Sequence, residues 1–338
     1  MKVSESILEF SEIPYERELE DRALYPSFEL NYITGGIVRG TLSVIAGEPG
    51  AGKTSFVSDT INTIIKDDSV MGIFGEGTLK DQQIKMYRQM TPFGKDNYEY
   101  TQFIKNGRKT NIGGYFVDED SEKAVREKTK GRLFLYDTKY GMSIPKIIEA
   151  MDYARTSKNI NYFVIDNLSQ IELATESENK ELKDGIELLR RYAIDNFVGI
   201  ILVAHYRKQQ DTQQIRRILS EIMGTSAVGQ KVATAINVIR TDNLDKTSKP
   251  YQNFKKLLEL NNWDIEQCSC VLEVMKSRND KLGFVCLGFN KTTQKYFDIK
   301  KINPEVETSD NPILHADLTP ITDTDEQKRI EEIFNEVF

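Results

Sequence analysis

Residues 47–54 read Gly47-Glu48-Pro49-Gly50-Ala51-Gly52-Lys53-Thr54 and match G-x-x-x-x-G-K-[ST], the pattern of a glycine-rich phosphate-binding loop. Residues 42–46 before it form a short apolar run, typical of a buried parallel strand, and residues 55–66 after it carry apolar side chains at helical spacing. Such a loop turns its backbone N–H groups toward phosphates at a helix N-terminus, where the dipole favours negative charge. The stretch therefore predicts a nucleoside triphosphate site.

The loop also predicts how the substrate is held. Lys53 is expected to reach the β- and γ-phosphates, and the Thr54 hydroxyl is expected to ligate Mg²⁺. We therefore expect ATP or a dNTP as the substrate and Mg²⁺ as the cofactor. The predicted nucleotide-binding residues of this segment are Gly47, Glu48, Pro49, Gly50, Ala51, Gly52, Lys53, Thr54 and Ser55.

The composition is that of a soluble globular protein, since 39% of the 338 residues are hydrophobic and 29% are charged. No apolar stretch approaches the length of a membrane span, and the N-terminus has no basic region followed by a long apolar one. We expect a cytoplasmic protein, in the host cytoplasm if the gene is viral, with no membrane partner. Cys268, Cys270 and Cys286 lack partners at ligand spacing, which argues against a disulfide framework and a zinc site.

The net charge of −7 would by itself argue against nucleic acid as a partner. The acidic residues, however, concentrate in residues 303–338, which carry ten Asp or Glu against Lys328 and Arg329, a net of −8. The rest of the chain therefore sums to about +1, which permits a basic surface. We predict three parts: an arm at residues 1–30 that packs between subunits, a core at residues 31–302, and an acidic C-terminal tail.

Apolar runs alternate with helical patterns, which predicts an α/β fold with a mostly parallel, doubly wound sheet. The predicted strands lie at residues 42–46, 70–74, 132–136, 162–166 and 199–204, and the predicted helices at residues 55–66, 79–90, 144–151 and 181–197. Residues 91–131 are polar and irregular, and we predict a surface insertion there. Three later apolar runs have no predicted helices between them and predict an antiparallel extension, at residues 235–240, 271–275 and 284–289.

Three polar residues follow predicted strands, and ligands of open α/β sheets bind at those strand ends. Asp166 follows four apolar residues, as expected of the aspartate that holds the Mg²⁺ shell opposite Thr54. Glu76 is placed to orient and deprotonate the attacking water. His205 is placed to sense the γ-phosphate by hydrogen bonding.

Several short motifs stand in a fixed order along the core. They are ITGG (33–36) and RG (39–40) ahead of the phosphate loop, then IFGE (73–76), VIDNL (164–168), LVAH (202–205), GTSAVGQ (224–230), EVMKSR (273–278) and GFNK (288–291). In this order and spacing the chain resembles, over roughly residues 32–297, the hexameric replicative DNA helicases with the RecA-like fold. These are DnaB, the mitochondrial helicase Twinkle and the helicase halves of phage primase–helicases.

The resemblance implies a role for each matching position. Glu76 corresponds to the catalytic carboxylate, Asp166 to the metal-shell aspartate, and His205 to the residue that couples the γ-phosphate to the DNA-binding loops. The predicted catalytic set is Lys53, Glu76, Asp166, His205, Lys276 and Arg278, and the predicted metal ligands are Thr54 and Asp166.

Two of these residues act in trans by the resemblance. Lys276 and Arg278 match a basic pair that is inserted into the neighbouring subunit's site, where an arginine finger stabilises the developing anion of phosphoryl transfer. Arg240 and Phe289 match the residues that sandwich the nucleotide base, and both can stack on any base.

DNA contact in this family comes from loops that face a central channel. The stretch after His205 carries basic residues suited to phosphate-backbone binding without sequence readout, and residues 224–230 follow it. The predicted nucleic-acid-binding residues are Arg207, Lys208, Arg216 and Arg217. Met223 and Ala233 depart from the family pattern, which often has an arginine and an acidic residue there.

No primase or zinc-binding segment precedes the core, so priming activity is not expected. Residues 325–338 place four apolar residues on one helical face, Ile330, Ile333, Phe334 and Val337. This end resembles the acidic tails with which phage replication proteins hold their partners, and a polymerase, a primase or a single-strand-binding protein is the expected class. A solvated tail with a frayed helix is the alternative.

The sequence thus predicts an NTP-driven replicative DNA helicase that translocates on single-stranded DNA as a ring, expected to be a hexamer, and unwinds forked duplex. Two alternatives stay open. One is a RadA-like recombination or branch-migration ATPase, although such chains usually add a cysteine-rich zinc segment that is absent here. The other is a non-motor loader or scaffold that uses nucleotide only to switch its oligomeric state, against which the water-activating Glu76 argues.

Overall fold

The computed structural model describes most of the predicted core. The described residues are 22–91, 98–105, 108–115, 119–172, 178–206, 215–222, 231–278, 281–291 and 293–302. Residues 1–21 of the predicted arm and the whole predicted tail, residues 303–338, lie outside this part of the chain.

Helices and strands alternate along the described residues, as the apolar pattern predicts. The strands are β1 (Arg22–Ala23), β2 (Ile37–Val38), β3 (Thr41–Gly47), β4 (Val70–Phe74), β5 (Tyr98–Lys105), β6 (Arg108–Tyr115), β7 (Leu133–Tyr136), β8 (Tyr162–Asp166), β9 (Gly199–His205), β10 (Thr234–Arg240), β11 (Cys270–Lys276), β12 (Gly283–Asn290) and β13 (Lys295–Asp298). The helices are α1 (Phe28–Thr34), α2 (Lys53–Ile64), α3 (Leu79–Met90), α4 (Glu119–Thr129), α5 (Ile144–Lys158), α6 (Glu178–Asn196) and α7 (Lys249–Leu260).

A nine-stranded sheet forms the centre of the described structure, in the order β13-β12-β11-β10-β3-β9-β8-β4-β7. The six strands from β10 to β7 pair in parallel. Strands β3, β4 and β8 are buried along their whole length, which explains why they read as continuous apolar runs. The predicted mostly parallel sheet is confirmed.

The remaining three strands of this sheet, β11, β12 and β13, are each antiparallel to the preceding one, so the predicted antiparallel extension is confirmed. The expectation that no helix separates these later strands is wrong, because α7 lies between β10 and β11. The Ser248 hydroxyl caps α7 by accepting the Tyr251 N–H, and Tyr251, Phe254 and Leu258 form its buried stripe. Leu257 packs partly beside this stripe, so the apolar residues of α7 stand at helical spacing and the prediction overlooked them.

Residues 91–131 are less irregular than the sequence suggests. Strands β5 and β6 form a two-stranded antiparallel hairpin with Tyr98 opposite Tyr115, and α4 follows it. Helix α4 buries only Ser121 and Val125, so its sequence carries little apolar signal. The expectation of irregular structure is therefore wrong for β5, β6 and α4, the parts of this range that the structure describes as regular elements.

The sheet divides the core into two layers because successive side chains of a strand point to opposite faces. Ile45 of β3 packs in the layer of Phe56 and the rest of α2, whereas Val44 packs with Leu189 of α6 on the other face. Both layers are dense with buried aliphatic residues, so the sheet is a rigid base for the loops at its edge. Within the described residues no helix is both long enough and apolar enough to cross a membrane.

Candidate nucleotide-binding and catalytic site

The parallel strands deliver the predicted site residues to one edge of the sheet. In the register of β3 and β9, Gly47 lies opposite His205, and in the register of β4 and β8, Phe74 lies opposite Asp166. The Gly75 N–H donates to the Asp166 carbonyl at 2.6 Å, which brings the following Glu76 beside this strand end. The structure therefore gathers Lys53, Glu76, Asp166 and His205 around the phosphate loop, as predicted.

The phosphate loop wraps around its own lysine. The Lys53 ammonium donates to the Gly47 carbonyl at 2.9 Å and the Glu48 carbonyl at 2.8 Å, and its side chain is buried. Gly52 caps α2 with a φ of +93°, and a Cβ there would collide with the Tyr296 hydroxyl. Only glycine fits this position, since L residues rarely adopt such a φ and no room exists for a side chain.

Asp166 and Thr54 meet as a pair of oxygen donors. The Thr54 side chain hydrogen-bonds the Asp166 carboxylate, and burial raises the pKa of Asp166, which is only 5% exposed. Oxygen ligands suit Mg²⁺, and a buried carboxylate gains from a nearby cation. The residues present therefore fit a Mg²⁺ ion held by Thr54 and Asp166.

Glu76 is exposed to solvent, but one of its carboxylate oxygens accepts a hydrogen bond that orients the group. The Asn167 side-chain amide donates to Glu76 Oε1 at 2.8 Å, and the Gln82 amide donates to the Glu76 backbone carbonyl at 2.6 Å. An oriented and solvent-accessible carboxylate at this edge can accept a proton from water.

His205 lies between the phosphate-loop lysine and the Glu76 support. Its Nδ1 is 3.1 Å from Lys53 Nζ, and its Nε2 is 3.2 Å from the Asn167 amide nitrogen. Burial, followed by the charge of Lys53, lowers the pKa of His205. The imidazole is therefore neutral at physiological pH, with one N–H and one lone pair.

Burial also lowers the pKa of Lys53 to about 8, against the raising effect of Asp166, Glu48 and Glu76. We predict that a bound triphosphate keeps Lys53 protonated. Binding then takes up about half a proton per site at pH 8, where half of the free Lys53 is neutral, but only about a tenth at pH 7. The apparent affinity then falls as the pH rises through 8, because the ammonium form is the one that binds phosphate. Isothermal titration calorimetry in buffers of different ionisation enthalpy measures this uptake.

Lys53→Arg is the matched control for this pH dependence, because a guanidinium keeps its proton over the whole range. Its binding should show no proton uptake from residue 53. An equal uptake in both proteins would contradict the assignment to Lys53.

The predicted base-binding residues also come together. Arg240 ends β10 and Phe289 lies near the end of β12, with the guanidinium 6.0 Å from the ring centroid. A base placed between them would have to displace the guanidinium from this contact. Tyr296 of β13 packs on Phe289 at 4.9 Å between ring centroids, and its hydroxyl donates to the Gly52 carbonyl at 3.1 Å. Tyr296 thus joins the base side of the site to the phosphate loop.

Of the predicted nucleic-acid-binding residues, Arg207, Lys208 and the segment 224–230 lie outside the described residues. Arg216 and Arg217 are described, and each contacts a carboxylate of the core. Arg216 Nε lies 2.8 Å from Glu273 Oε1, and Arg217 Nε lies 2.9 Å from Glu48 Oε1. These two guanidinium groups therefore tie the segment after β9 to β11 and to the phosphate loop, and DNA binding by them stays a prediction.

Lys276 and Arg278 lie at the opposite edge of the sheet from the phosphate loop. Gly47 pairs with Val238, which pairs with Leu272, and from there β11 runs antiparallel for four more residues. At the usual rise per residue this places Lys276 about 13 Å farther along the strand. Arg278 lies beyond it and is exposed. Both residues therefore lie far along the sheet from the chain's own phosphate loop.

Two residues of the site were not singled out in the sequence. Asn167 directly follows Asp166, so the strand-end signal that identified the aspartate applies to it as well. Tyr296 carries no such signal, because its role depends on β13 folding back along α2, where the Tyr296 N–H donates to Asp59 Oδ2 at 2.9 Å.

Comparison with known proteins identifies a family match. Residues 27–298 match the family described as the DnaB-like helicase C-terminal domain. The replicative DNA helicase DnaC of Bacillus subtilis is 22% identical over 281 residues, which cover 81% of this chain and 56% of that protein. The chain thus spans a little over half the length of the curated relatives it matches.

Solved structures share the fold. The structure titled "ATPase Domain of G40P" superposes with a TM-score of 0.61 at 21% identity and covers 81% of this chain and 90% of its own. A DnaB-like replicative helicase, described with its interactions with primase, gives a TM-score of 0.62 at 20% identity over 82% of this chain and 63% of its own. The predicted RecA-like fold is confirmed.

Proposed function

Since the chain belongs to the DnaB-like helicase C-terminal domain family, we propose that it is the motor of a replicative DNA helicase. It hydrolyses ATP or a dNTP, translocates on single-stranded DNA as a hexameric ring and separates forked duplex. The observation that carries this proposal is the division of the site: Lys53, Glu76, Asp166 and His205 lie at one edge of the sheet, and Lys276 and Arg278 lie at the other. A site divided in this way is completed only by a second copy.

The first half of the site binds and activates. Lys53 holds the β- and γ-phosphates, and Thr54 with Asp166 holds Mg²⁺, which neutralises charge on the phosphate oxygens when bound. Glu76 orients the attacking water and takes its proton. His205, beside Lys53, contacts the terminal phosphate.

The second half comes from the neighbouring subunit. Lys276 and Arg278 place positive charge on the phosphoryl group that develops negative charge, as an arginine finger does. Repeated head-to-tail contacts of this kind form a closed ring when the rotation between neighbours brings the last subunit onto the first. Hydrolysis then depends on assembly, and the rate at each site depends on where the neighbouring subunit places its Lys276 and Arg278.

DNA lies in the channel of the ring and contacts the basic segment after β9. Arg217 joins this segment to Glu48 of the phosphate loop, so that a change in the loop can be transmitted to it. Backbone contacts of this type are insensitive to sequence, as a motor on arbitrary DNA requires. Residues 1–30 pack between subunits, and residues 303–338 offer an acidic surface to a polymerase, a primase or a single-strand-binding protein.

The two alternatives predict different behaviour. A recombination ATPase would be stimulated by single-stranded DNA without separating a duplex, and a nucleotide-switched scaffold would not respond to DNA. The held and water-accessible Glu76 favours a hydrolysing motor over the scaffold.

The experiment that tests the proposed function measures nucleotide hydrolysis with and without single-stranded DNA, together with the mass of the assembly in Mg²⁺ and ATP. We expect stimulation by DNA and a ring of six 38.7-kDa chains, about 232 kDa. Hydrolysis by a monomer at its full rate would contradict the divided site.

A further inference from the structure

Asn167 connects two groups of the site through one amide. Its Nδ2 is 2.8 Å from Glu76 Oε1 and 3.2 Å from His205 Nε2, and the side chain is 2% exposed. We propose that Asn167 is a positioning residue, which holds Glu76, becomes fully fixed when His205 accepts its second N–H, and thereby reports phosphate binding at Lys53 to the catalytic carboxylate. This inference rests on the proposed function.

The orientation of the amide is fixed by a backbone donor. The Ser169 N–H donates to Asn167 Oδ1 at 3.0 Å, and the Ser169 hydroxyl contacts the same oxygen. A backbone N–H cannot accept, so Oδ1 must face Ser169 and the NH₂ group must face Glu76 and His205. Both hydrogens of the amide are therefore directed at the catalytic groups.

His205 lies between two donors. The amide N–H of Asn167 faces Nε2. The Lys53 ammonium donates two of its three hydrogens to backbone carbonyls, and the third faces Nδ1. A neutral imidazole has only one lone pair, so it can accept from one of the two. In each tautomer, one ring nitrogen accepts a hydrogen bond from its neighbour, and the other ring nitrogen carries a hydrogen that faces a second donor.

In the free protein, the imidazole accepts from the charged donor, Lys53. Hydrogen bonds from an ammonium are roughly twice as strong as neutral ones, so Nδ1 accepts from Lys53 and Nε2 carries the hydrogen. That hydrogen then faces the Asn167 N–H, so the amide holds Glu76 at 2.8 Å but has no acceptor on His205. With Lys53 on His205, the amide is therefore held by Ser169 and Glu76 alone.

A bound triphosphate reverses the competition. Its β- and γ-phosphate oxygens take the Lys53 ammonium, and Nδ1 then donates an N–H to a phosphate oxygen. One proton leaves Nε2 to water and one arrives at Nδ1 from water, so the net charge of the imidazole is unchanged. Nε2 now accepts from Asn167, and the amide is held by Ser169, His205 and Glu76 together.

The tautomer is directly measurable, because the full sequence contains two histidines, His205 and His315. The test is ¹⁵N NMR of protein labelled at histidine, carried out in a His315→Gln background so that one imidazole remains. We expect the Nε2–H form in the free protein and the Nδ1–H form with Mg²⁺ and a non-hydrolysable ATP analogue. The same tautomer under both conditions would overturn the inference, whether or not the protein unwinds DNA.

Kinetics supply a second test with a matched control. Asn167→Ala should lower kcat roughly 100-fold through loss of carboxylate positioning, and KM should stay within about two-fold. Asn196→Ala removes an amide of the same kind before the start of β9, at the opposite end of that strand from His205, so its kcat should stay within about two-fold of wild type. An unchanged or increased kcat in Asn167→Ala, or an equal loss in Asn196→Ala, would overturn the positioning role.

Coupling to His205 distinguishes positioning from a merely structural role. In a His205→Ala background, Asn167→Ala should cost far less than in the wild type, because the signal it relays has been removed. Equal costs in both backgrounds would contradict the relay. DNA-stimulated hydrolysis by the wild-type protein is measured in parallel, so that failure of the relay and failure of the proposed function are told apart.

Discussion

Arg278→Ala is expected to lower kcat for nucleotide hydrolysis about 10³-fold or more while nucleotide binding is retained, because an arginine finger acts on the transferring phosphoryl group. Arg278 lies at the far edge of the sheet from the chain's own phosphate loop, and in the proposed ring it acts on a neighbour's site. Steady-state hydrolysis and equilibrium binding of a fluorescent ATP analogue measure the two effects. Lys281→Ala is a matched control. Lys281 is an exposed cation that follows the same strand, β11, and its ammonium stacks on the ring of Tyr32.

Mixing two inactive variants tests the trans geometry. Lys53→Ala chains cannot hold phosphate but carry Arg278, and Arg278→Ala chains hold phosphate but lack the finger. In a mixed ring, an Arg278→Ala site beside a Lys53→Ala chain is complete, so hydrolysis should return. A mixture that stays inactive, although mass measurement shows mixed rings, would contradict a site shared between subunits.

Glu76→Gln is expected to lower kcat by about 10² to 10⁴, because an amide cannot take the proton of the attacking water. The amide keeps the size of the side chain, and nucleotide affinity should be unchanged, since Glu76 lies outside the phosphate loop. Single-turnover hydrolysis and nucleotide affinity are the measurements. Glu172→Gln, which alters an exposed carboxylate after β8, should retain wild-type turnover.

Equal losses in Glu76→Gln and Glu172→Gln would show that general electrostatics, rather than a general base, explain the effect. Loss of nucleotide binding in Glu76→Gln would move the role of Glu76 from water activation to substrate binding.

The sheet and the strand-end residues could be predicted because their signals are local. Four consecutive apolar residues before Asp166, and the phosphate loop between an apolar run and a helical pattern, are each legible within about ten residues. Parallel strands then bring such ends to one edge, whatever lies between them. For this reason Glu76, Asp166 and His205 were predicted together without knowledge of their distances.

The parts that were missed depend on distant or weak signals. Helix α7 has an apolar stripe that was overlooked, and the hairpin β5–β6 belongs to a mostly polar stretch in which periodicity is weak. The Arg217 contact with Glu48 joins residues that are 169 positions apart. The sequence predicts Arg216 and Arg217 as DNA-binding residues, but in the structure each forms an ion pair with a carboxylate, Glu273 or Glu48. These pairs form only when the chain folds.

Unwinding of a forked DNA duplex tests the central claim most directly. Purified protein with Mg²⁺ and ATP or dTTP should separate the strands, and Lys53→Ala at the same concentration should not, because it cannot engage the phosphates. Strand separation would be followed with a fluorophore and quencher on the two strands. Hydrolysis that DNA stimulates without any strand separation, or hydrolysis that does not respond to DNA at all, would contradict a helicase motor.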